Sequence, residues 1–272
     1  MSAGQTLEAS PPLSRLIVRG VGWCGLGLLA VTVLLSDFIA RAPAGMADPS
    51  AMLNAPSSTH PFGTDLLGRD LMSETLHGLA ETGAHALFGA LVAIVCGELF
   101  GAVAARLPVP LARAIRGVMG VLAAVPALLL TILLIGLTAR FFAPLAAGLA
   151  AAPLAFVRAF DRVDVDSKHS EYARATGIPA TTLLHRDLTY EFREMLGSVA
   201  ARALAAVTII LSTASFLGFG AEPPARDLGL MIAAAKATYL AAGWTAACPA
   251  AALVILVLCA RLAAGLDEGE QP

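Results

Sequence analysis

RAFDRVDVDSKHSEYARATGIPATTLLHRDLTYEFRE occupies residues 158–194 and holds six of the chain's 18 Lys and Arg residues. The sequence on either side of it is almost entirely apolar. A charged insert of this length between hydrophobic runs must lie in water, so the runs that flank it belong in a membrane. Within the insert, Glu171 to Ala175 are helix-forming residues. Gly177 can end a helix or open a turn, and Pro179 can start the next helix, where its missing N–H costs little. The residues thus predict a helix–turn–helix that protrudes from the membrane.

Composition agrees with a membrane protein. Of 272 residues, 57 % are hydrophobic and 14 % charged, with a mean hydropathy of +0.76. Soluble domains carry about 25 % charged residues. A net charge of −2 gives no sign of a nucleic-acid partner. Cys24, Cys96, Cys248 and Cys259 all sit in apolar stretches without metal-ligand spacing, so they read as small hydrophobes. No small-residue cleavage site closes the first apolar segment, which is therefore expected to be a retained anchor.

A spanning helix needs about 20 mostly apolar residues. Outward from the insert, that length predicts spans at about 18–38, 82–105, 117–139, 141–158, 195–217 and 238–260. The expectation is an all-α polytopic membrane protein of six transmembrane helices. Its transmembrane domain covers 15–265, with a disordered N-terminus at 1–14, a cytoplasmic loop at 159–194 and a tail at 266–272. Pro126 should kink the third span. Gly22, Gly25 and Gly27 either permit close helix packing or face lipid. Glu98 is an ionisable group inside the second span, about two-thirds along an apolar run. It is read as a structural hydrogen-bonding group near the membrane face rather than a substrate ligand.

Six spans put both termini on one side. That side, with the 106–116 turn and the 158–194 insert, carries twelve Lys and Arg residues; the other carries five, and Arg202 lies in a span. The positive-inside rule places the twelve, and both termini, in the cytoplasm.

Three further stretches carry a resemblance. His60 to Asp70 reads HPFGTDLLGRD; Ser215 to Pro224 reads SFLGFGAEPP, followed by Gly229-Leu230-Met231; and the insert contains Glu171-Tyr172-Ala173-Arg174-Ala175-Thr176-Gly177, then Arg186-Asp187-Leu188. In their order along the chain the motifs resemble those of the C-type permease subunits of oligopeptide, dipeptide and nickel ABC importers, over about residues 60 to 231. The chain departs from the family pattern at Tyr172, where an Ala is usual, at Tyr190, which lacks the usual Pro, and at Leu228, where a Trp is usual.

The resemblance implies that Glu171, Tyr172, Ala173, Gly177 and Arg186 form the loop that docks into the ATPase. It makes Gly63, Thr64, Asp65, Gly68, Arg69 and Asp70 the family signature on the outward side. It implies a heteromer with a second homologous permease, two cytoplasmic ATP-binding subunits and an extracytoplasmic substrate-binding protein, in the bacterial inner membrane. The cargo would be peptides or, alternatively, nickel or a metal chelate.

Read without the resemblance, Thr64 or Asp65 is expected to cap a helix start, and Gly63 and Gly68 to punctuate turns. Glu81 and His85 are an i,i+4 pair, a spacing for surface hydrogen bonding and not for a metal site. No phosphate-binding loop, nucleophile constellation or metal or cofactor motif occurs, so the chain is expected to be no enzyme and to rely on ATPase partners. A secondary transporter or a membrane scaffold are the competing classes; the chain shows no internal repeat that would favour the former.

Overall fold

The computed structural model describes residues 13–40, 45–138, 140–162 and 195–265. The 163–194 segment, with Glu171, Tyr172, Ala173, Gly177 and Arg186, lies outside the described residues, as do 1–12 and 266–272. Among the described residues the structure is helical, with one isolated antiparallel bridge between Thr64 and Asp70.

Helix α1 covers Leu13–Leu34, α2 Leu71–Ala104, α3 Val109–Ala124 and α4 Ala127–Leu137. Then follow α5 at Ala143–Arg162, α6 at Ala200–Phe216, α7 at Leu228–Ala234 and α8 at Trp244–Ala264. Five helices are long and apolar enough to cross a bilayer, and the bent α3–α4 pair makes a sixth if it is one span.

The expected third span is broken rather than kinked. Its two halves meet at 91° across Val125 and Pro126. Proline removes a backbone donor and clashes with the carbonyl four residues back, and it drives the preceding residue out of the helical region. Val125 accordingly sits at φ −77°, ψ 130°.

Helix α2 is longer than the expected 82–105 span. Its 34 residues reach roughly 51 Å at 1.5 Å per residue, against a hydrocarbon core of ~30 Å. Its first turns carry Ser73, Glu74 and Thr75, and the excess length leaves room for them outside the hydrocarbon. The side chain of Asp70 accepts from Ser73 N and caps that end.

Helices α2 and α5 form the central seam. A Cβ on Gly97 would lie 2.6 Å from the Ala152 carbonyl, and one on Gly89 2.8 Å from that of Pro144. A Cβ on Gly148 would meet Val92 Cβ at 2.7 Å and overlap the Gly89 carbonyl. Lipid tails are as apolar as Leu, so close backbone approach through small residues is what holds such helices together. The pairing of α1 with α8 works the same way at Gly22 and Gly25, which face Ala263 and Cys259. This settles two of the three glycines in favour of close packing; Gly27 meets nothing within 4 Å.

Buried hydroxyls bond within their own helices, Thr208 to Leu204 O (2.7 Å) and Thr131 to Ala127 O (2.8 Å). That satisfies a polar group where no water can. Leu34, Leu129, Leu133, Val254 and Leu258 are more than half exposed. These side chains form the lipid-facing surface of a multi-pass membrane protein.

Candidate functional site

One end of the bundle carries a connected polar network, where the 45–70 loop meets the start of α2, the 217–227 loop and the start of α8. The expected signature residues fold into a single cap there. Gly63 and Gly68 adopt φ +75° and +73°. The space a Cβ would need at Gly63 is taken by Asn54 O and Trp244 Nε1, both at 2.7 Å, and at Gly68 by the Asp48 backbone. Only glycine fits these turns.

Thr64 is fully buried. Its hydroxyl donates to Ala51 O and accepts from Asn54 N (2.8 Å), and its carbonyl accepts from Trp244 Nε1 at 3.3 Å. Asp65 closes the following turn by accepting from Leu67 N (2.8 Å), Arg69 N (2.9 Å) and Arg69 Nε (2.7 Å). Neither residue caps the helix; that role falls to Asp70, which stands directly before the first helical residue and whose carboxylate reaches the amide three residues on. Asp70 Oδ2 accepts from Ser73 N at 2.9 Å and Ser73 Oγ at 2.7 Å, and Oδ1 pairs with His60 Nδ1 at 3.0 Å. Burial alone would raise the Asp70 carboxyl, but the hydrogen bonds from His60 and Ser73 outweigh it and hold the group below its ordinary value.

A buried glutamate that the sequence reading did not single out ties this cap to the rest of the protein. Glu74 is 3 % exposed. Its Oε1 accepts from Gly45 N at 2.6 Å, and its Oε2 lies 3.4 Å from both Arg69 Nη1 and Arg226 Nε. Arg69 comes from the signature loop and Arg226 from the loop before α7. Two turns further along α2, the contacts with that second loop continue. Arg226 N donates to Glu81 Oε2 (2.8 Å), Thr82 Oγ1 donates to Asp227 Oδ2 (3.1 Å), and Leu228 N donates to Thr82 Oγ1 (2.9 Å). Asp227 also caps α7 through Leu230 N at 3.1 Å. Some 145 residues separate these partners in sequence, so no local pattern could have signalled them.

Beside this network lies a cavity of about 360 Å³. Glu81, His85, Asp227, Ser215, Arg140 and Glu222 line it, and Ala143, Pro144 and Leu211 give it an apolar wall. Arg140 pairs with Glu222 across its rim. Glu81 and His85 therefore face a shared space instead of bonding to one another. Glu98 lies well away from this cavity, roughly 25 Å beyond Glu81 along α2. It falls within the π-helical stretch Ile94–Leu99 and is partly buried.

No family model matches the chain. Among curated proteins, it is 30 % identical over 206 residues to the peptide transport system permease protein SapC of Escherichia coli O6:H1, covering 74 % of this chain and 69 % of that protein. The chain is a permease of the peptide-type ABC importer family. The permease is also 28 % identical over 237 residues to the oligopeptide transport system permease protein OppC of Mycobacterium tuberculosis, covering 83 % and 80 % of the two chains. It is 29 % identical over 230 residues to the glutathione transport system permease protein GsiD of Pectobacterium atrosepticum, covering 83 % and 76 %. Like its relatives, the permease is a membrane transport component. The resemblance carried by the three motifs thus holds across most of the chain.

Proposed function

We propose that this permease forms half of the translocation path of an importer for small peptides in the bacterial inner membrane. The observation that carries the substrate class is the set of relatives, which are named for peptides, oligopeptides and glutathione. In this reading the cap around Glu74 and its adjoining cavity face outward, where a substrate-binding protein delivers cargo. The 163–194 loop faces the cytoplasm, where Glu171, Tyr172, Ala173, Gly177 and Arg186 dock into the ATP-binding subunits. A second homologous permease completes the pathway.

The geometry supports a rigid-body mechanism. The cap is fixed to α2 by Asp70 and Glu74, and α2 runs unbroken to Ala104. It packs without a gap along α5, which ends at Arg162, directly before the docking loop. Displacement of the loop by ATPase closure would move α5, and the tight seam would carry α2 and the outer cap with it.

Uptake in a strain lacking this permease tests the substrate class. Import of labelled di- or oligopeptides should disappear and return on complementation. Intact peptide uptake with loss of nickel or metal-chelate import would show the alternative cargo instead.

Orientation has its own test, motivated by the twelve-to-five basic asymmetry. Single cysteines introduced at Ser50 and Val165 should react with membrane-impermeant reagents from opposite sides, with Ser50 outward. Labelling from one side would refute the topology.

The docking role predicts that Glu171→Lys lowers transport at least about tenfold while the protein still inserts, since a charge reversal in an interface costs more than 1.4 kcal/mol. Normal co-purification of the ATPase with normal transport would remove Glu171 from the interface.

A further inference from the structure

We propose that the cavity between α2, α6 and the 217–227 loop is a binding subsite for a cationic group of the cargo, an ammonium or guanidinium, anchored by Glu81 and Asp227. The inference rests on the peptide reading above and assigns it a place in the chain. Ionisable side chains from several separate segments converge on this one space: Glu81 and His85 from α2, Arg140 ahead of α5, and Glu222 and Asp227 from the 217–227 loop.

The charges around the cavity do not cancel. Arg140 and Glu222 neutralise one another at the rim. Asp227 is 3 % exposed, yet both its oxygens accept from neutral donors, the Thr82 hydroxyl and the Leu230 amide. Among the described residues Glu81 accepts only a backbone N–H, that of Arg226. The guanidinium of Arg226, whose own backbone N–H meets Glu81, is turned towards Glu74. Two carboxylate charges therefore remain on the walls. Neutral hydrogen bonds orient them without compensating them, and a cation entering the cavity would do so.

His85 makes no side-chain hydrogen bond among the described residues and can accept one from an entering N–H. The apolar wall of Ala143, Pro144 and Leu211 offers contact to the carbon skeleton attached to the cation. A volume of about 360 Å³ admits one or two amino-acid residues rather than a long chain. The shared chemistry could come from two parts of a peptide, its N-terminal ammonium or a Lys or Arg side chain.

The assembled importer, reconstituted in proteoliposomes with a saturating binding protein, distinguishes these sources. Three cargoes are compared: a neutral dipeptide with a free amine, its N-acetylated form, and an N-acetylated dipeptide containing Lys. Glu81→Gln should slow uptake of the free-amine peptide, the Lys peptide or both by about fivefold or more, while the acetylated neutral peptide is unaffected. Equal slowing of all three, or slowing of none, would overturn the inference and leave the peptide reading intact. A wild-type importer that moves none of the three would overturn the peptide reading and this inference together. Should Glu81→Gln fail to assemble, the wild-type complex still decides. A dipeptide with a photoreactive group beside its free ammonium should label α2 between residues 81 and 85, and labelling confined to other segments would refute the subsite.

Discussion

Gly148→Leu should abolish recovery of the folded permease. A side chain at this position would drive its Cβ into the Gly89 carbonyl and to 2.7 Å from Val92 Cβ. The obstructing atoms include the backbone of α2, which cannot rotate away as a flexible side chain would. Overpacking in a well-filled core costs about 1–3 kcal/mol when side chains can yield, and here two long helices would have to separate. The same seam closes again at Gly97 against Ala152 and at Gly101 against Phe156, so the separation could not stay local. Size-exclusion profiles of a fluorescent fusion in detergent would show the outcome. A monodisperse peak of wild-type height for Gly148→Leu would mean that the α2–α5 seam is looser than described. Gly148→Ala, with one carbon added, should give an intermediate recovery.

Glu74→Ala should destabilise the permease by about 3 kcal/mol, the lower end of the range for removing one member of a buried charge cluster, because both arginines keep partial contact with water. Glu74 accepts from Gly45 N and neighbours Arg69 and Arg226. Its loss leaves Arg69 with Asp65 but takes from Arg226 its one ion-pair partner among the described residues. For a chain of this size that corresponds to a fall in melting temperature of about 6–12 °C. Glu74→Gln, which keeps an acceptor for Gly45 N, should cost roughly half as much. Thermal unfolding in detergent measures both. A melting temperature unchanged within about 1 °C for Glu74→Ala would show that the two loops are held by other contacts.

Much of the architecture was legible because membrane solvation acts on short windows of sequence. Uncharged runs such as Gly117 to Thr138 announce themselves by length, and Pro126 announced a disruption within that run. The size of the break could not be read, since a proline in a membrane helix can be bridged by its neighbours or can end the helix outright. The signature loop was legible as a motif, and its glycines as turns. The assignment of the cap was missed because Thr64, Asp65 and Asp70 are all competent capping residues, and only the path of the backbone chooses among them. Glu74 and Asp227 were passed over, and Glu81 was read only as a surface partner of His85, for a different reason. Their roles depend on Arg226 and Thr82, which meet them across some 145 residues, and such pairings leave no trace in local spacing. Glu98 drew attention by being a lone carboxylate in an apolar run, and the π-helical register around it has no sequence signal of its own.

The right angle between α3 and α4 bears on how long a solitary copy of this chain survives in the cell. Helix α4 has 11 residues and so reaches only about 16 Å, half the thickness of the hydrocarbon. Around Val125 and Pro126, Leu122 O still accepts from Val125 N, but the other terminal carbonyls of one helix and the first amides of the next lie beyond their helices' own ladders, and Val125 is 37 % exposed. Facing lipid, each such group costs several kcal/mol; covered by protein, it costs little. An orphan subunit would thus display a polar blemish at membrane depth until a neighbour arrives to cover it. Proteases and chaperones that patrol the bilayer for unassembled proteins would have at this bend a physical mark by which to tell the orphan from the finished complex.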